Sequence, residues 1–187
     1  MIEKLRQKAL SLGAFRAEIV DVKDISMDES FRTLCESNAC GNYGRNYMCP
    51  PDIGDIHELM ENIRTFEKAL VYQTVGELED SYDFEGMMEV GARHNQLVQK
   101  LWDYTDEMQD SEFSEKVILH RGAGGCTLCP VCGKVTGSAC AHPDRAIGSL
   151  EACGINVSSL AQLAGMRYIN GQNTVTYFSA VFVGNKQ

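Results

Sequence analysis

The sequence has few basic residues for its length. Its 187 residues include 17 lysines and arginines against 26 aspartates and glutamates, which gives a formal net charge of −9. A protein that binds nucleic acid without sequence preference needs a net basic surface to displace counterions, and an anionic membrane surface attracts basic segments. We therefore expect neither nucleic acid nor a membrane among the binding partners.

Long apolar runs are also missing. No stretch approaches the roughly 18 apolar residues that a membrane-spanning helix needs, and the charged segment 1–15 lacks the apolar core of a secretory signal. There is no internal repeat, low-complexity tract or linker, and the chain has only four prolines. We therefore expect a cytoplasmic protein that folds as a single domain over residues 1–187.

Cysteine, by contrast, is frequent. Eight cysteines in 187 residues are too few for the disulfide scaffold of a small secreted protein. In a reducing cytoplasm, clustered cysteines more often bind metals or carry redox chemistry than form disulfides. Seven of the eight form two groups: the first cysteine group is Cys35, Cys40 and Cys49, and the second cysteine group is Cys126, Cys129, Cys132 and Cys140.

The second cysteine group has the spacing Cys126-x2-Cys129-x2-Cys132-x7-Cys140. Two successive x2 spacings let one loop reach three corners of a cubane cluster, as in the bacterial ferredoxin run C-x2-C-x2-C-x3-C-P, and a later cysteine closes the fourth corner. Because the last spacing here is x7, the match is partial. The pattern predicts a [4Fe–4S] cluster, with zinc, which usually takes separated C-x2-C pairs, and unmetallated thiols as the alternatives.

The first cysteine group is more unusual, with x4 and x8 spacings and Pro50 and Pro51 directly after Cys49. A cysteine followed by proline is common where a ferredoxin loop leaves its cluster. Three thiolates would leave one iron of a cubane open to water, substrate or another side chain, as catalytic metal sites are. The alternative is three structural cysteines. Cys153, near the end of a predicted helix among apolar neighbours, is predicted to be a buried thiol rather than a ligand.

The four histidines and the remaining polar residues identify no catalytic group. His142 lies two residues after Cys140 and could be a nitrogen ligand, although a surface histidine at the start of a helix is the simpler interpretation. His57 and His94 fall on predicted helices and are expected at the surface, while His120 is expected to be buried near the end of a strand. Whether the protein is an enzyme is left open by the sequence.

Hydrophobic periodicity predicts a mixed fold. The predicted strands at 69–75 and 116–120, joined by a helix at 83–108, suggest a βαβ unit. We predict an α/β or α+β fold with about four strands, flanking helices and two cysteine-rich cluster loops beside the sheet. The other predicted elements are helices at 2–12, after Asp55, from Pro143 to Gly154 and from Ser159 to Gly165, and strands at 15–22 and 174–183.

Three parts of the sequence resemble a known family. The first is the segment around the first cysteine group, with Cys35, Cys40–Gly44 and Cys49–Pro51. The other two are Gly125–Cys129 and Cys140–Val157. Over about residues 14–183 the chain resembles an uncharacterised prokaryotic family of predicted metal-binding proteins, domain of unknown function two-two-eight-four. The resemblance implies metal binding, with iron–sulfur as the expected form, in a cytoplasmic protein of bacteria or archaea. In that family the position of Cys153 is not a fixed cysteine.

These observations lead to one functional prediction and two alternatives. The prediction is a cytoplasmic electron-transfer protein that holds one or two [4Fe–4S] clusters and meets a redox partner protein, with its acidic surface steering the encounter. The first alternative is an enzyme whose open-site cluster is held by Cys35, Cys40 and Cys49. The second is a zinc-stabilised structural or interaction module.

Overall fold

The fold is α+β, built on one antiparallel sheet. The computed structural model describes residues 1–108 and 114–186. Its four strands are β1 (Arg16–Asp21), β2 (Lys68–Glu77), β3 (Lys116–Arg121) and β4 (Thr174–Asn185), in the order β1-β2-β4-β3 with every neighbouring pair antiparallel. A sheet of about four strands with flanking helices, as the sequence predicts, is therefore confirmed.

Helices cover both faces of this sheet. None of them, within the described residues, is long and apolar enough to cross a membrane. Short 3-10 turns lie at Val22–Asp24 and Glu151–Cys153. The α-helices are α1 (Ile2–Ser11), α2 (Phe31–Glu36), α3 (Ile56–Arg64), α4 (Phe84–Glu107), α5 (Gly133–Thr136) and α6 (Val157–Leu163).

The core divides into two apolar clusters because successive side chains of a strand point to opposite faces of a sheet. In β2, Val71 belongs to one cluster and its neighbour Tyr72 to the other. The first cluster includes Ile63 of α3 and Leu160 of α6. The second includes Leu97 of α4, and α1 packs beside it. The sheet is thus buried on both faces, with α3 and α6 on one side and α1 and α4 on the other.

The predicted βαβ unit is present in altered form. Strands β2 and β3 both pair antiparallel with β4, so they run parallel to each other, but β4 lies between them. The sequence did not determine the strand order, which the structure supplies. The strand β4 is the longest of the described chain, and its two edges satisfy the backbone hydrogen bonds of both β2 and β3.

The helix predicted from Pro143 to Gly154 is wrong over most of its length. Residues 143–150 are irregular, and their backbone extends β3 instead: the Gly122 N–H donates to the Gly148 carbonyl at 2.9 Å, and the Leu150 N–H donates to the Gly122 carbonyl at 3.1 Å. Ile147 and Leu150 do face the core as expected. They are buried by strand-like pairing and not by a helix face.

The remaining predicted elements are present, with shifts of one to three residues at most of their ends. The helix after Asp55 is α3, and Asp55 caps it by accepting hydrogen bonds from the backbone of His57 and Glu58. The predicted loop of the first cysteine group is not irregular throughout, because Cys35 lies on the short helix α2.

Candidate metal centre

The structure brings the two cysteine groups next to each other. The first cysteine group runs from α2 through the turns that precede α3, and the second occupies the loop that follows β3. A Cβ atom built on Gly125, directly before Cys126, would lie 3.3 Å from Sγ of Cys49. Cys49 thus lies at the junction of the two loops, although 77 positions separate it from Cys126 in the chain.

All four thiols of the second cysteine group line one cavity. Its walls enclose about 20 Å³, room for about one water molecule, and they also include His142, Asn46 and Tyr47. Each of the four cysteines is half-buried and none forms a disulfide. The x2, x2 and x7 spacings therefore place all four cysteines at the wall of a single space.

A tight turn brings Cys140 back toward Cys132. Residue Gly133 approaches the returning chain so closely that a Cβ atom there would lie 2.6 Å from the Ala139 carbonyl oxygen. The Ser138 N–H donates to the Gly133 carbonyl at 2.8 Å, which closes the turn after α5. Glycine is needed at this position because any side chain would force the two halves of the loop apart.

Asn46 connects the two loops from a buried position. Its Nδ2 donates to the Cys126 carbonyl at 2.9 Å, and its Oδ1 accepts from the Met48 N–H at 3.0 Å. Only 6% of Asn46 is exposed. No feature of the sequence identified this residue, because an isolated asparagine carries no periodic or spacing signal and its partner is 80 positions away.

Two further contacts hold the loops together. The hydroxyl of Tyr47 donates to the Ser138 carbonyl at 2.9 Å. The ammonium of Lys134 pairs with the Asp52 carboxylate at 2.5 Å and lies 5.6 Å from the centre of the Tyr47 ring. Together with Asn46, these side chains fix the first cysteine loop against the second at three separate points.

Burial favours the protonated thiol at Cys35 and Cys49. It raises the pKa of Cys49 to about 11, and the neighbouring thiols of both groups act in the same direction. Burial also raises the pKa of Cys35, an effect that the Arg32 cation partly opposes. A thiolate is the form that binds metal, so a positive charge between these sulfurs is what would ionise them.

His94 corrects one prediction. It is completely buried rather than at the surface, because it lies on the face of α4 that packs on the sheet. Its Nδ1 is 2.8 Å from the Thr74 hydroxyl and its Nε2 is 2.7 Å from the Ser179 hydroxyl. Two hydroxyls satisfy the ring, and burial lowers the pKa of His94 to about 4.

The other three histidines agree with expectation. His57 is exposed, with its Nδ1 3.3 Å from the Glu29 carboxylate. His120 is buried, and its Nε2 lies 2.9 Å from the Thr105 hydroxyl. His142 is exposed and yet lines the cavity of the second cysteine group, so it stays a candidate neighbour of a bound group.

Cys153 is the eighth cysteine, and it lies on the 3-10 turn Glu151–Cys153, which packs against α2. It is completely buried within the first apolar cluster, as the sequence predicts. It does not line the cavity of the second cysteine group. Within residues 1–108 and 114–186, no three histidine, cysteine, aspartate or glutamate side chains are arranged to hold a single metal ion.

The comparisons with known proteins give one match. A family model described as "Predicted metal-binding protein (DUF2284)" matches residues 18–183. No curated protein and no solved structure has a significant match to the chain. The matched region includes both cysteine groups and all four strands except the first two residues of β1 and the last two of β4. The chain therefore belongs to this family of predicted metal-binding proteins.

Proposed function

We propose that the chain is an iron–sulfur protein, with one [4Fe–4S] cluster held by the second cysteine group. The observation that carries the proposal is that all four of its half-buried thiols line one cavity. Four cysteine thiolates are the ligand set of a [4Fe–4S] cluster. The close turn at Gly133 supports the same assignment, since it brings the fourth cysteine to the space that the first three surround.

We propose that the first cysteine group holds a second cluster beside the first. Cys49 is close to the second loop at Gly125. This group offers three thiols, so one iron would be free for a different ligand. When bound, such clusters supply one-electron transfer. The chain itself would contribute the thiolates, the contacts of Asn46, Tyr47 and Lys134 that fix the two loops, and an acidic exterior.

A redox partner protein is part of this proposal. The thiols of both groups are half-buried or exposed, so electrons would have a short path to the surface. The net charge of −9 would steer a partner with a basic contact surface. We place this exchange in the cytoplasm, where thiols remain reduced and available to iron.

One observation favours the enzymatic alternative. Cys40 is the exposed member of the first cysteine group, and it lines a cleft of about 1,100 Å³. A cluster bound there with an open iron would face space large enough for a substrate. Zinc binding without redox chemistry is the other alternative.

Metal and acid-labile sulfide content per chain, after anaerobic purification, tests the proposal. We expect about eight irons with equal sulfide for two clusters, or about four for one cluster in the second cysteine group. Zinc without sulfide, together with failed reconstitution by iron and sulfide, would contradict the proposal and leave the zinc-stabilised module.

A pair of variants tests the site assignment. Cys129→Ser removes one ligand of the second cysteine group, and we expect it to lose the brown chromophore of that cluster. Cys153→Ala is the matched control, because its thiol is buried in the core and outside the cavity. Full iron and sulfide in folded Cys129→Ser protein would show that the cluster is held elsewhere.

A further inference from the structure

A long cleft separates α4 from the two cysteine loops. One wall is the outward face of α4 from Met88 to Lys100, and the opposite wall includes Cys40, Asn42 and Thr127. An α-helix rises about 1.5 Å per residue, so these twelve steps make the cleft about 18 Å long. Its volume of about 1,100 Å³ is slightly above the usual range for ligand sites.

The half of the cleft at the N-terminal end of α4 is apolar. It is lined by Met88, Gly91 and Ala92, together with Tyr177 from β4. The Tyr177 hydroxyl donates to the Met87 carbonyl at 2.9 Å, and a Cβ on Gly91 would lie 3.2 Å from that hydroxyl oxygen. The phenol is thus fixed against the helix. Small residues beside an aromatic ring and a thioether form a surface on which a planar ring can pack.

The other half is polar and carries a positive charge. It is lined by the amides of Asn95, Gln96 and Gln99 and by the ammonium of Lys100. The Oε1 of Gln99 accepts from Arg145 at 3.2 Å, which leaves the Gln99 amide hydrogens to donate into the cleft. No carboxylate is among the described residues that line the cleft, although the chain has a net charge of −9. The polar half of the cleft therefore favours an anionic group of a ligand.

We propose that the cleft binds an organic anion of mononucleotide size, with a planar ring in the apolar half and a phosphate beside Lys100. Such a ligand would lie against Cys40, the exposed thiol of the first cysteine group. This site goes beyond the proposed iron–sulfur function and does not depend on which metal the thiols hold, since its recognition groups are on α4 and β4.

Flavin mononucleotide and riboflavin are matched probes for this site, because they share the ring system and differ in the phosphate. We expect anaerobic equilibrium dialysis of the metal-loaded protein to retain about one flavin mononucleotide per chain, and to retain riboflavin at least about tenfold more weakly. Lys100→Gln should weaken the binding of flavin mononucleotide about tenfold and leave the binding of riboflavin unchanged. Ala92→Leu, which fills the apolar half, should weaken both.

Two variants outside the cleft serve as controls. Lys23→Gln removes an exposed cation distant from α4, and Glu89→Leu adds an apolar side chain at an exposed position of α4 that does not line the cleft. Both should bind like the parent protein. Equal retention of the two probes, no retention at about 1 mM, or unchanged binding by Lys100→Gln and Ala92→Leu would overturn the proposal. Iron and sulfide measured on the same samples distinguish this result from failure of the iron–sulfur assignment.

Discussion

At the scale of single residues, Asn46 is expected to affect both the stability of the fold and the metal centre. Its side chain satisfies the Cys126 carbonyl and the Met48 N–H from a buried position. We expect Asn46→Ala to lower the free energy of unfolding by about 1–3 kcal/mol, because two buried backbone groups lose their partner. It should also lower the metal content per chain. Denaturant unfolding and metal analysis measure the two effects.

The variant Asn46→Asp tests the hydrogen bond to Cys126 separately from the one with Met48. The aspartate keeps an oxygen that can accept from Met48 but has no N–H to donate to the Cys126 carbonyl. If the contact between the loops holds the metal site, this variant loses metal as the alanine variant does. Normal metal content in Asn46→Asp would show that the bond to Cys126 is dispensable.

The lowered pKa of His94 predicts that the protein loses stability in mild acid. Its folded-state pKa, about 4, is below the ordinary value of 6.5, so below pH 6.5 the unfolded chain binds a proton that the folded chain does not. The contribution of His94 to the free energy of unfolding is complete above pH 6.5 and is lost as the pH falls toward 4. Between pH 7.5 and pH 5 we expect a loss of about 2 kcal/mol from this residue.

His94→Gln provides the measurement. Glutamine does not titrate, so the variant should show a shallower fall in unfolding free energy between pH 7.5 and pH 5. His120, whose pKa burial lowers to about 3, contributes with the same sign in both proteins and cancels in the comparison. Parallel pH profiles for parent and variant would mean that His94 takes up its proton in the folded state.

At the scale of elements, the turn after α5 sets the position of Cys140, the last member of the second cysteine group. Gly133→Ala places a Cβ 2.6 Å from the Ala139 carbonyl oxygen, closer than real structures allow. We expect the turn to open, Cys140 to withdraw and the metal content to fall, while the far-UV circular dichroism of the sheet and long helix is unchanged. Gly122→Ala is the matched control, because a Cβ there meets Ile147 at an ordinary 3.5 Å. Equal metal in both variants would contradict this account of the turn.

The elements also show how far the sequence can predict this structure. The 3.6-residue period of α4 and the β-branched runs of β2 and β4 are local signals, and they located those elements to within three residues. The sequence predicts that this helix begins at Ser159, whereas Asn156 caps α6 by accepting a hydrogen bond from the Ser159 N–H. Both residue types favour that position, so local chemistry could not choose between them.

Contacts between distant segments could not be predicted in the same way. The insertion of β4 between β2 and β3, the pairing of Gly122 with the segment before Leu150, and the hydrogen bond from Asn46 to Cys126 all depend on which segments meet in the fold. The spacing of the second cysteine group was informative because a loop with x2 steps confines its thiols to one place. The spacing of the first cysteine group did not reveal that Cys49 lies beside Gly125.

At the scale of the whole molecule, the core and the cysteine loops are separate. Neither apolar cluster contains a residue from 35–49 or 126–140. We therefore expect the sheet and α4 to remain folded when the metal is removed by chelation under reducing conditions, because hydrophobic burial on both faces is unaffected. The loops should lose amide-exchange protection, since their thiols would no longer share a bound group.

Hydrogen exchange followed by mass spectrometry tests this separation. Protection in β2, β4 and α4 should match in the loaded and stripped protein, and the exchange of residues 35–49 and 126–140 should increase. Loss of protection throughout the sheet on stripping would show instead that the metal site is part of the folding unit.

The position of β4 between β2 and β3 has a consequence for the order of assembly during synthesis. When the ribosome has translated both cysteine groups, β2 and β3 still lack the strand that joins them, because residues 174–185 are made later. The loop after β3 then has no sheet to hold it beside the loop before α3. The completed sheet can therefore hold the two cysteine groups beside each other only after β4 has been translated and inserted.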